Sequence, residues 1–145
     1  MHASNGHAML HSEATTTSDG AWEGLRWIRW LVRVNLALVA LQAWSAGFLL
    51  SGSGAAVMIH ARVALALVAG SLSQAVAAVV LWRQSRVPVW VARAGIVLFV
   101  MVVLQVGLGH SKRFWLHVPL GVGLFGGLVR QTSRVDTWHA NGTRL

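Results

Sequence analysis

Between Glu23 and Asp136 the chain carries no carboxylate, and its basic residues gather near the ends of long apolar runs. A hydrocarbon layer about 30 Å thick is crossed by roughly 20 apolar helical residues. A helix is the form in which one such run satisfies its own N–H and C=O groups away from water. Four runs of this order can be drawn, over 34–50, 58–82, 87–109 and 114–129, the last being the shortest. Hydrophobic residues make up 55% of the 145 and charged residues 11%, with mean hydropathy +0.59, a balance too apolar for a water-soluble domain of this size. The sequence therefore predicts an all-α integral membrane four-helix up-down bundle, with the bilayer as its first partner.

Cysteine is absent, which excludes disulfides, thiolate metal sites and thiol catalysis. The formal charge of +8 would suggest nucleic acid in a soluble protein. Here the arginines flank apolar segments and read as topology determinants, so no nucleic-acid partner is expected. Arg26, Arg29, Arg33, Arg83, Arg86, Arg93, Arg130 and Arg134 fall on one side, and Arg62, Lys112 and Arg113 on the other. The excess of basic residues predicts that both termini are cytoplasmic.

Residues 1–20 show no apolar period and are expected to form a disordered polar tail. A short amphipathic segment follows. Asp19 can cap it, and Trp22, Trp27 and Trp30 alternate with Arg26, Arg29 and Arg33 as in a helix lying at headgroup depth before it turns inward. The bundle proper is assigned to 21–134, with 135–145 as a C-terminal tail. Ser51-Gly52-Ser53-Gly54 reads as a tight connection, Pro88 suits the first turn of the third helix, and Ser111-Lys112-Arg113 links the third helix to the fourth.

His60 and His117 are the candidate metal ligands. They lie in the first turns of the second and fourth helices, which enter from the same side and sit diagonally in an up-down bundle. At 1.5 Å rise per residue, both rings fall within about 10 Å of the outer boundary. Two imidazoles so placed can face opposite sides of a haem iron; the alternative is an interfacial position, with each ring bonded to headgroups or water. Gly121, one turn below His117, and Ala64, one turn below His60, would leave room for a porphyrin. Arg62, Lys112 and Arg113 stand at the outer end, where Arg62 or Arg113 can take a propionate through paired hydrogen bonds. His110 is the alternative ligand, a contact for a quinone carbonyl, or simply the water-exposed end of the third helix. Gln42, Gln74 and Gln105 read as interhelical hydrogen-bond formers, with Gln42 or Gln105 also able to touch a cofactor or a histidine nitrogen. Gly123 and Gly127 form a Gly-x-x-x-Gly pair that permits close helix contact, within the bundle or in a homo-oligomer. Pro119 frees one backbone carbonyl inside the fourth helix.

Ile59-His60-Ala61, Leu104-Gln105-Val106-Gly107-Leu108-Gly109 and Leu116-His117-Val118-Pro119-Leu120-Gly121 together resemble one four-helix half of the haem A synthase family, and the pattern is similar to small b-type membrane cytochrome-like four-helix proteins. The likeness covers roughly the whole apolar portion. In that family the haem-liganding histidines of each half lie near the outer ends of its second and fourth helices. The oxidising half has an acidic residue close to its histidine, which this chain lacks, so the resemblance implies the haem-holding scaffold without the oxidation. It implies a bacterial inner membrane protein binding one haem b, with quinone as a possible second cofactor. Electron transfer, as a carrier or a subunit of a membrane redox complex, is expected rather than stand-alone catalysis. The alternative is a cofactor-free accessory or structural subunit of a larger respiratory or photosynthetic complex.

Overall fold

The computed structural model describes residues 5–142, and side chains from Glu23 to Trp138. These residues form four helices: α1 (Asn5–Leu50), α2 (Gly54–Arg83), α3 (Val89–His110) and α4 (Phe114–Gly142). Three stretches are long and apolar enough to cross a membrane, Glu23–Leu50, Gly54–Arg83 and Val89–His110. The fourth expected span is not among them. Its apolar part, 114–129, rises only about 24 Å before Arg130, short of a hydrocarbon layer.

Each helix buries one stripe at spacings of three and four residues, the pattern that lets neighbouring helices interlock side chains. On α1 the stripe is Leu25, Ile28, Val32, Asn35 and Val39, continued by half-buried Gln42 to Ser45; on α3 it is Val91, Gly95, Leu98 and Val102. Helix α1 packs on α2 and α4, and α3 packs on α2 and α4, while the diagonal pairs do not touch backbone to backbone. This is the diagonal relation of α2 and α4 expected for an up-down bundle. Gly95 lets α3 approach α2 closely, since a Cβ there would stand 3.1 Å from Ala75 Cα. Large apolar side chains, among them Trp44, Leu65, Val97 and Val122, cover the outward faces.

The helices run past the ends drawn from the sequence. Residues 1–4 lie outside the described residues, but 5–20, expected to be a disordered tail, continue α1 upstream. The segment contains no proline, and extending an existing helix adds a hydrogen bond for each residue fixed, without a new nucleus. The amphipathic segment is continuous with the rest of α1. Leu25, Ile28 and Val32 are fully buried and run on into the inner stripe of the same helix. Their partner is the last part of α4. The stretch expected as a C-terminal tail from residue 135 carries α4 on to Gly142, burying Leu128, Gln131 and Val135 on the face that continues from Leu124. Residues 143–145 lie outside the described residues. Asp136 fixes the junction: its Oδ1 accepts from Arg29 Nε at 2.9 Å and from Arg33 Nη2 at 3.0 Å.

The three connections share one device. The second residue past each helix end takes a left-handed conformation (Gly52 φ 85°, Ser85 φ 56°, Lys112 φ 55°). The following N–H then reaches back to the helix: Ser53 to Phe48 O, Arg86 to Leu81 O and Arg113 to Leu108 O. Pro88 is the cap residue before α3 rather than part of its first turn. Gly52 adopts its conformation without penalty, whereas Ser85 and Lys112 carry a Cβ where it is disfavoured. Ser85→Gly is expected to stabilise the fold by about 1 kcal/mol, read as a higher midpoint of thermal unfolding in detergent. A lower midpoint would show that the serine makes a compensating contact.

Candidate imidazole site

His60 follows Ala56 and precedes Val63 and Leu67 on the buried stripe of α2, and His117 precedes Leu124 and Leu128 on that of α4. Both rings are half-buried and face the interior rather than the outer apolar surface. They lie at the same end of the bundle, on the diagonal helices.

The two rings are held in the same way. His117 Nδ1 lies 2.9 Å from the backbone oxygen of Gln105. A carbonyl only accepts, so Nδ1 carries the proton and donates, and Nε2 keeps its lone pair. His60 Nδ1 lies 2.9 Å from Ser45 Oγ, and Ser45 donates its single hydroxyl proton to Gln42 O at 3.0 Å. His60 Nδ1–H is therefore the donor in that contact. Its Nε2 is also left as the free, basic nitrogen. An imidazole whose Nδ1–H is tied to a carbonyl or hydroxyl and whose Nε2 is open is the usual state of a protein metal ligand.

The surroundings of His117 are built from glycine. A Cβ at Gly109 would come within 2.9 Å of His117 Cε1, so the ring rests against bare α3 backbone. Gln105 completes a reciprocal clip, its Nε2 donating to His117 O at 2.8 Å while its own carbonyl receives the imidazole proton. A Cβ at Gly121 would lie 2.9 Å from Gln105 Nε2. The room below His117, expected to accommodate a porphyrin, is thus used by the glutamine side chain. Gln105 Oε1 and Gln42 Oε1, flanking the two histidines, are buried without hydrogen-bond partners.

Other candidates stand apart. Arg62 is exposed and, two residues after His60, points to the opposite side of α2. Lys112 and Arg113 are exposed in the α3–α4 turn, and His110 is exposed at the end of α3. Gly123 and Gly127, expected to make a close helix contact, pack against no neighbour within the bundle: a Cβ at either position would have nothing within 4 Å. Among the described residues there is no group of three or more His, Cys, Asp or Glu side chains able to hold a metal ion. Two imidazoles suffice only for a metal that brings its own equatorial ligands, as haem does. The donor set fits that group.

Ser45 was not singled out from the sequence, yet a signal for it exists. Residues equidistant from the turn of a helical hairpin face each other: Ser45 and His60 flank the Gly52–Ser53 turn symmetrically, as Gln105 and His117 flank Ser111. Comparison of the chain with family models, with curated proteins and with solved structures gave no match.

The shared hydrogen-bond pattern has a direct spectroscopic consequence. In pigment-free protein, ¹⁵N NMR of the histidine rings is expected to show His60 and His117 as the Nδ1–H tautomer, with Nε2 unprotonated. Rings found mainly as the Nε2–H form would contradict both contacts.

Proposed function

We propose that the chain is an integral membrane protein of the b-type cytochrome kind, holding one haem between His60 and His117 and carrying electrons between a membrane donor such as a quinol and an acceptor at the outer face. The observation that carries this reading is the matched pair of imidazoles, each with Nδ1–H engaged and Nε2 free, on diagonal helices at one end of the bundle. With two protein ligands on the iron no coordination position is left open, which favours one-electron transfer over oxygen activation.

The chain's own residues would do the positioning. Ser45 and the Gln105 carbonyl fix ring orientation and raise the basicity of Nε2. Gly109 lets the His117 ring lie against α3. Arg113, one turn before His117, is the cation placed for a propionate, whereas Arg62 on the far face of α2 is assigned no such role. The membrane assignment rests on the three long apolar helices, and α4 would cross beside them through its packing on α1 and α3. By the bias of basic residues, the arginine-rich end that holds both chain termini faces the cytoplasm of a bacterial inner membrane.

A second reading, a cofactor-free subunit of a larger membrane complex, is favoured by one specific observation: neither the cleft between Trp90 and Gly127 nor the one beside Pro88 and Trp138 borders a histidine. Visible spectra of the full chain purified in detergent from haem-replete cells separate the two. A reduced-minus-oxidised α band of b type is expected, absent in both His60→Ala and His117→Ala. Ser45→Ala should retain the band but hold the pigment about 10- to 100-fold less tightly. A colourless wild-type protein selects the second reading.

A further inference from the structure

At the other end of the bundle, α3 and α4 enclose a cleft of about 360 Å³, within the range of small-molecule sites. Its apolar walls include Leu98, Met101, Leu124 and Leu128. It exists because Gly123 and Gly127 line it without side chains, and a Cβ at either would meet nothing within 4 Å.

Each polar side chain on this cleft carries N–H donors. Arg130 and Arg134 are exposed at it, and neither forms an ion pair among the described residues. Arg134 is held in place by stacking, its guanidinium carbon 4.9 Å from the centre of the Trp90 ring. Gln131, which also lines the cleft, is only 7% exposed, and its Nε2 is buried with no hydrogen-bond partner. A buried amide N–H left unpaired is destabilising, and an acceptor entering the cleft would satisfy it.

We infer that this cleft binds an anionic phospholipid, its phosphodiester taken by Arg130, Arg134 and the Gln131 amide and one acyl chain laid along the glycine-lined, apolar floor. Two guanidinium groups and an amide donor match an anionic head rich in acceptors. A neutral quinone carbonyl would leave both cations unmatched. A free phosphate would leave the apolar floor unfilled. The site requires the bilayer setting proposed above but shares no residue with the tetrapyrrole site, and its two arginines stand about 20 and 25 Å along α4 from His117.

The test uses the full chain in a neutral detergent, titrated with phosphatidylglycerol, phosphatidylcholine or inorganic phosphate, with thermal midpoint and lipid retention in native mass spectrometry as readouts. Phosphatidylglycerol is expected to be retained and to raise the midpoint, while the other two do neither. The double variant Arg130→Gln, Arg134→Gln should weaken retention about a hundredfold, since both charge-assisted donors to the head are lost. Gly127→Leu, which fills the floor and leaves both arginines, should weaken it comparably. Equal retention of phosphatidylcholine, an equal effect of inorganic phosphate, or undiminished binding by the double arginine variant overturns the inference. A colourless protein that still discriminates phosphatidylglycerol from phosphatidylcholine would remove the haem reading and leave this one standing.

Discussion

Asn35 and Gln74 meet in the middle of the α1–α2 hairpin, Asn35 Nδ2 donating to Gln74 Oε1 at 2.9 Å, with both residues essentially inaccessible. In apolar surroundings an amide without a partner costs several kcal/mol, so this bond fixes the register in which the two helices can lie. Gly70 is part of the same arrangement, because a Cβ there would stand 2.6 Å from Asn35 Oδ1. The register that pairs these amides also sets Ser45 opposite His60. Slipping the hairpin by one turn would strand two amides and unhook the imidazole together. The orientation of His60 therefore depends on a bond several turns away.

The second hairpin solves the problem locally. Gln105 and His117 exchange two hydrogen bonds across the α3–α4 turn, each residue using one side-chain and one backbone group. Gly109 and Gly121 are the complementary vacancies that let these side chains approach backbone so closely. Gly107, Gly123 and Gly127 have open space around them instead, and nothing in their spacing separates the two classes.

This explains how much was legible in the sequence. The apolar runs and their Gly, Ser and Pro punctuation marked the helices and turns, because backbone satisfaction and turn conformation are local properties. The diagonal relation of His60 and His117 followed from helix order and short loops. What was not legible depended on partners. Leu25, Ile28 and Val32 look like the apolar face of a headgroup-level helix until Leu128, Gln131 and Val135 supply the opposing stripe, and Asp136 looks like a tail residue until Arg29 and Arg33 stand beside it. Gly121 and Gly127 read alike as small residues in an apolar helix. One makes way for a glutamine side chain and the other lines a cleft.

The distance between the two free Nε2 atoms is set by neither hairpin alone, since each ring is fixed to its own. It is set by how the hairpins pack on each other, and the strongest of those contacts lie toward the arginine end: Gly95 against Ala75, and the clamp of Asp136 on Arg29 and Arg33. Those ion pairs are partly exposed, so each contributes about 0–1 kcal/mol, and their effect is to fix geometry more than to add stability. At the histidine end the interior changes from close-packed aliphatic residues to Gln42, Ser45, His60, Gln105 and His117, and the buried aliphatic residues there are no larger than Ala56 and Val63. Separating the hairpins at that end exposes little apolar surface and disturbs neither imidazole's own support. A flat group carrying its own metal would enter there by parting the hairpins, with His60 and His117 each still held by its own hairpin partner.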